Sequence, residues 1–285
     1  MQLNTAPIIV LGCPRSGTQL TARILGGFPG NFLVTEHSLK DKQRSCPEDR
    51  SGVVDHAIWW RHFRFAEYDE LTGRPAVDTP IYDAGAIQKV REEYLDLAGT
   101  QRLVIKNPVH LLRVKMLQEM FPDARFVFCI RHPWHTIQSM IIKGNTSFLL
   151  RTSEFSTLPD ELLLKAAVSW AAAYESYRAF RDEHWTALRY EELVADPRAT
   201  IANLFRFLHL SDPSYAAAAS LLPRHAEKNY YFVSRAFNRS HYKREILTRL
   251  TPGCSAFGYK SDMSDLRIQP FTYLSTLLKR KLKIR

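Results

Sequence analysis

Eight residues near the amino terminus have the types and spacing to hold a phosphate. Gly12-Cys13-Pro14-Arg15-Ser16-Gly17-Thr18-Gln19 follows a short apolar run, Pro7 to Leu11, and leads into a segment with helical spacing, Thr18 to Leu25. A glycine-containing turn between a strand and a helix points backbone N–H groups and the positive end of the helix at one place, which suits an anion. In the nucleoside-triphosphate pattern G-x-x-x-x-G-K-[ST], Gly12 and Gly17 fit. Thr18 stands where the Lys would be, and Gln19 where the magnesium-binding hydroxyl would be. Arg15 supplies positive charge from within the loop instead. The expected ligand is a nucleotide-type anion handled without Mg²⁺.

A second anion site is expected after the apolar run Phe126 to Ile130. Arg131-His132-Pro133 follows it, and Ser139 lies two turns into the next helical segment. Pro133 has no N–H to lose at a first helical turn, and its neighbours' N–H groups stay available. In open α/β sheets ligands bind beyond the carboxyl ends of the strands, where both loops would lie. Two phosphate sites suit a nucleotide phosphorylated at two places.

Together, Pro14-Arg15-Ser16-Gly17-Thr18 and Arg131 with Ser139 resemble the sulfotransferase family that uses 3′-phosphoadenosine 5′-phosphosulfate (PAPS). The first block is similar to its 5′-phosphosulfate loop and the second to its 3′-phosphate motif. Tyr190-Glu191-Glu192-Leu193 with Asp196-Pro197 resembles a third family segment. Lys106-Asn107-Pro108 and Phe121-Pro122-Asp123-Ala124-Arg125-Phe126 look like the bacterial and tyrosylprotein-type branches. The resemblance runs from about Pro7 to Leu208, with gaps between Ser38 and Gly99. Gln19 departs from it, standing where a second Thr is common.

The resemblance implies a mechanism residue by residue. Sulfuryl transfer needs a neutralised leaving group and an acceptor hydroxyl that is deprotonated as it attacks. Arg15, Ser16, Gly17, Thr18 and Gln19 would hold the phosphosulfate, and Arg15 and Lys106 would stabilise charge on the bridging oxygen. Arg131 and Ser139 would hold the 3′-phosphate, and Tyr190 would pack near the adenine unless it is only a strand-end core residue. Three bases stay open at this point. Glu36 ends the apolar run Phe32 to Thr35, where the resembled branches place a Glu. His110 lies four residues after Lys106, and His37 is the third. PAPS would be the co-substrate, with no metal required.

These residues need a frame, and the chain has one. Apolar runs at Pro7 to Leu11, Phe32 to Thr35, Arg102 to Ile105, Phe126 to Ile130 and Thr186 to Arg189 alternate with helical segments. The helical segments include His110 to Phe121, Glu161 to Asp182 and Pro197 to Leu208. Strands that are apolar throughout, separated by helices, predict an α/β fold: a single domain with a central parallel sheet flanked by helices, P-loop nucleotide-hydrolase-like. At 285 residues and 45% hydrophobic the chain can bury a large core, which excludes a stapled miniprotein or a disordered tail. Residues 36–91, weakly periodic and rich in charge and aromatics, read as an acceptor-side insertion or lid.

Lys and Arg outnumber Asp and Glu by 39 to 29, which favours anionic partners, yet neither a zinc-finger nor an RNP-like motif supports nucleic acid. Residues 271–285 form a basic tail that could touch an acidic membrane peripherally, or simply be solvated. Aromatics in Ile58 to Phe65 and Asn229 to Phe232 could line a cleft for a glycan, lipid or other small-molecule acceptor, or pack the core. Arg235, Arg239, Lys243 and Arg244 could close on the nucleotide or face solvent. Four scattered cysteines read as buried thiols in a reducing compartment, and Met1 to Ala6 is too short for a signal peptide. A cytoplasmic enzyme is expected. The competing readings are a nucleotide kinase on the same fold and a non-catalytic anion-binding protein that recruits glycan or membrane.

Overall fold

The computed structural model describes residues 6–36, 55–65, 80–143, 159–211, 221 and 231–266. His37, Cys46, Asn229, Tyr230 and the tail 271–285 lie outside them, as do the side chains of Tyr231 and Phe232. The described residues fall into two compact units. One is drawn from Met1–Ile130 and Ser176–Pro223, the other from Arg131–Glu175 and Arg224–Arg285.

The first unit is built on a five-stranded sheet: β1 (Ile8–Leu11), β2 (Asn31–Thr35), β3 (Arg102–Lys106), β4 (Arg125–Ile130) and β5 (Trp185–Arg189). The strand order is β2-β3-β1-β4-β5, and every pairing is parallel. β1 and β3 are buried along their whole length, as expected for strands covered on both faces. On one face, Ile8, Val10, Val104, Val127 and Leu188 pack against three helices: α1 (Thr18–Gly26), α7 (Tyr190–Ala195) and α8 (Pro197–Phe207). On the other, Phe128 stacks on Tyr177 at 4.4 Å and Phe126 on Trp185 at 4.5 Å. Offset aromatic pairs of this kind each add about 0.5–1.5 kcal/mol beyond their burial.

Two helices come from the stretch read as weakly periodic, α2 (Asp55–His62) and the start of α3 (Ala84–Ala98). The single helix expected from His110 to Phe121 is divided. A 3₁₀ turn covers Pro108–Leu112 and α4 covers Val114–Met120, with Arg113 between them at φ −122°, ψ 13°. The division has two causes, one local and one from another helix. Asn107 caps the turn by accepting from Val109 N at 3.1 Å, and the Arg113 guanidinium is drawn over the Trp59 ring, 4.4 Å from its centroid.

The second unit contains α5 (Pro133–Lys143), most of α6 (Pro159–Phe180), α9 (Tyr231–Arg239) and α10 (Lys243–Phe257). Gly253 packs against Trp170 so closely that a methyl group there would lie 2.7 Å from the ring. Trp134 donates to Ser261 O at 2.8 Å and Trp170 to Arg131 O at 2.9 Å. Among the described residues no helix is long and apolar enough to cross a membrane.

Candidate active site

The carboxyl ends of β1, β2, β3 and β5 gather the candidate residues of the first unit. Parallel pairing sets Thr35 beside Lys106 and Val10 beside Lys106, so residues that leave these strands in the same direction emerge together. The loop after β1 reaches α1 through two conformations that ordinary residues avoid. Arg15 has φ 73° and Gly17 has φ 105°. A non-glycine residue in the left-handed region costs about 1–3 kcal/mol and persists only where its surroundings fix it. Here the turn is closed by Ser16 N donating to Cys13 O at 3.1 Å, and α1 begins with Thr21 N donating to Gly17 O at 3.0 Å.

Gly12 and Gly17 are required for different reasons. A Cβ on Gly12 (φ 147°) would press into the Cys129 carbonyl oxygen of β4 and lie 2.8 Å from Ser16 Oγ. A Cβ on Gly17 would lie 2.8 Å from Tyr190 Cδ2. Tyr190 therefore packs its ring on the loop after β1 itself. The rest of its block is structural: Leu193 is buried in the core, and Asp196 caps α8 by accepting from Ala199 N at 3.1 Å. Ser16 is 1% exposed, and its Oγ has no hydrogen-bond partner. No side chain caps the first turn of α1. A buried hydroxyl without a partner is rare, because leaving it unbonded costs about 1–3 kcal/mol. Arg15 is exposed, and Thr18 is buried at the helix start.

Lys106 joins this loop to Glu36. Its ammonium forms an ion pair with Glu36 Oε1 and donates to Gln19 Oε1 at 3.3 Å. Only 4% of the Lys106 side chain and 13% of Glu36 are exposed. Gln19 thus points to the lysine, where a Thr would offer a hydroxyl. Cys13, inside the loop, has its thiol pushed well up by burial, and burial raises Cys129 to about 12. Both are protonated at neutral pH, which removes a thiolate from the site's chemistry.

His110 is brought to the same region but faces inward. It is fully buried, and its Nε2 lies 3.0 Å from Asp55 Oδ1. Asp55 also accepts from Tyr94 OH and from Asn107 Nδ2, the latter at 2.6 Å. Burial alone would raise the Asp55 carboxyl. The attraction of His110 and hydrogen bonds from His110, Tyr94 and Asn107 outweigh it and hold the carboxyl well below the usual carboxylate range. Sequence reasoning passed over Asp55 and Tyr94, and gave Asn107 no role of its own. Asp55 looked like an ordinary acid before an aromatic run, and nothing local marks partners 39 to 55 positions away.

In the second unit, Arg131 is buried and Ser139 half-buried on α5, and Thr136 Oγ1 bonds back to His132 O at 3.1 Å. His132 Nε2 lies 3.2 Å from Asp265. Arg235, Arg239, Lys243 and Arg244 are exposed and lie on α9 and α10. A groove along α10 is lined in part by His241, Lys243, Arg244 and Leu247. Among the described residues no three His, Cys, Asp or Glu side chains gather as a metal site.

Comparison with known proteins follows the same residues. The profile of a family described as the sulfotransferase family matches residues 7–214. Omega-hydroxy-beta-dihydromenaquinone-9 sulfotransferases of Mycobacterium tuberculosis and Mycobacterium bovis are 26% identical over 247 residues, covering 72% of this chain. The match spans 63% of the length of those relatives. Among solved structures, the sulfotransferase STF9 of Mycobacterium avium aligns with TM-score 0.55 at 16% identity, over 90% of this chain and 77% of its own. The sulfotransferase domain from the curacin biosynthetic pathway aligns with TM-score 0.50 at 18% identity, over 79% and 80%. At these identities the structures speak for the shared fold.

Proposed function

Because the chain belongs to the sulfotransferase family, we propose that it moves a sulfuryl group from PAPS to a hydroxyl of a lipid, glycan or other small molecule. One observation carries this reading: Lys106 reaches both Gln19, on the helix that follows the phosphate loop, and Glu36, at the end of the neighbouring strand. A cation, a carboxylate and an anion-binding turn in one place are what transfer of an anionic group to a hydroxyl requires.

The residues present fit the donor. Ser16 Oγ, buried without a partner, supports a phosphate oxygen as its missing acceptor, and the first turn of α1 offers uncapped N–H groups beside it. Arg131 and Ser139 take the 3′-phosphate, as their likeness to the family motif suggests. Tyr190 packs on the loop at Gly17, and its likeness to the family segment supports a place beside the adenine. PAPS supplies a sulfuryl group on a good leaving group.

In transfer, the acceptor oxygen bonds to sulfur as the bond from sulfur to the bridging oxygen breaks. Glu36 takes the hydroxyl proton, and Lys106 and Arg15 offset the charge arriving on the bridging oxygen. Glu36 is favoured over His110, which is fully buried and tied to Asp55. The Lys106–Glu36 ion pair holds both groups in reserve. An incoming sulfonate competes for the ammonium and leaves the carboxylate to face the acceptor, so the donor binds first.

The mycobacterial relatives are named for a hydroxylated menaquinone, and a lipid of that kind suits this chain's acceptor class. The basic residues of 271–285 would favour peripheral contact with an acidic membrane carrying such a lipid. We place the reaction in the cytoplasm, where buried thiols such as Cys129 stay reduced. Calorimetric titration tests the donor assignment. Adenosine 3′,5′-bisphosphate should bind tightly in the presence of a metal chelator, and ATP with Mg²⁺ weakly. The reverse preference would replace the transferase with a kinase.

A further inference from the structure

Behind the Lys106 strand end lies a buried acid that the transfer chemistry does not use. Asp55 opens α2 at 0% exposure, and its carboxylate is filled by three side chains. Tyr94 OH donates to Oδ1, His110 Nε2 lies 3.0 Å from the same oxygen, and Asn107 Nδ2 donates to Oδ2 at 2.6 Å. Tyr94 in turn accepts from Trp59 Nε1 at 2.8 Å. His110 Nδ1 is buried with no hydrogen-bond partner, so Asp55 is the polar anchor of that ring.

Such a network is an expensive way to hold a fold together. Burying a charge costs several kcal/mol of lost hydration, and apolar side chains of similar volume often serve stability as well. What it does supply is direction. Asn107 is the residue immediately after Lys106, and it is fastened on both sides of its amide. Its Nδ2 donates to Asp55, and its Oδ1 accepts from Val109 N at 3.1 Å. The Asn107 carbonyl also accepts from His110 N at 3.1 Å, closing the turn over the same acid. Asp55 therefore grips the turn twice, through the side chains of Asn107 and His110.

We propose that Asp55, acting through Asn107 and His110, is a positioning residue for sulfuryl transfer: it fixes the backbone where β3 ends and so aims Lys106 Nζ between Gln19 and Glu36. This rests on the role given to Lys106 above. Tyr94 holds the same carboxylate from α3, and among the described residues its hydroxyl bonds only Asp55 and Trp59, not Lys106, Asn107 or His110, so it separates stability from aim.

The test measures hydrolysis of radiolabelled PAPS to sulfate, with water standing in for the acceptor, alongside affinity for adenosine 3′,5′-bisphosphate and thermal unfolding. Asn107→Ala and Asp55→Asn should lower turnover by about 10²-fold, the scale of an ångström-sized misplacement. Affinity for the bisphosphate, which lacks the sulfonate, should stay at the wild-type value. Tyr94→Phe should lower the unfolding midpoint with turnover kept. If Asp55→Asn does not fold, Asn107→Ala decides, since Asp55 there retains Tyr94 and His110. Wild-type turnover in Asn107→Ala, or equal loss of turnover in Tyr94→Phe, overturns the proposal. Lys106→Ala is the reference. Should it turn over normally, the reading beneath fails; should it fail while Asn107→Ala is active, only the positioning role does.

Discussion

Glu36 and Lys106 neutralise one another in a site almost closed to water, with 13% and 4% of their side chains exposed. At so low an exposure, removing either charge without a replacement is costly. Replacing Glu36 by Gln keeps the shape and a hydrogen-bonding partner for the ammonium while removing the proposed base. Glu36→Gln should therefore bind adenosine 3′,5′-bisphosphate at least as well as the wild type, yet lose about 10²-fold or more in transfer, the usual scale for a general base. Steady-state transfer rates and calorimetry on the same preparation check both halves; near-normal transfer would remove Glu36 from the role. At this scale the sequence put Lys106 and Glu36 at strand ends, where a parallel sheet gathers ligands, and the structure brings these two side chains together. The packing of Tyr190 on this loop was not legible: its ring against Gly17 is a contact 173 positions apart in the chain.

At the scale of elements, the apolar runs placed all five strands to within a residue at either end. Burial on both faces gives a parallel strand a plain signature, and β1, β3 and β4 carry it. The turn after β3 was misread because His110, Leu111 and Leu117 keep helical spacing, while the interruption at Arg113 comes from Trp59 on another helix. Asp55 belongs to the same region and leads to a pH prediction. Its folded-state pKa is depressed, so the stability it contributes is fully present above its unfolded value near 4 and is lost as pH falls toward the folded one. Asp55→Asn should cost about 3–5 kcal/mol at pH 7, the usual range for breaking a buried pair. Denaturant titrations from pH 7 to pH 2 should show the gap between variant and wild type narrowing below about pH 4. A gap that is constant with pH would mean the Asp55 carboxyl is not held charged by its partners.

For the molecule as a whole, the sequence supplied the α/β class and the family, and the five-stranded order β2-β3-β1-β4-β5 agrees with both. It could not supply the acceptor. Much of the stretches that seemed suited to one, residues 36–91 and the aromatics near 230, lies outside the described residues. What the whole chain does is decided more directly by the donor than by the acceptor. Labelled PAPS, followed in the presence of EDTA with a hydroxylated quinone as acceptor, should lose its sulfuryl group to the quinone or to water. That rate should fall by about 10²–10³-fold in Lys106→Ala, the scale of removing one charge-stabilising group from such a site. Equal rates in the two proteins, or label that leaves the donor only when a divalent metal is restored, would contradict the account.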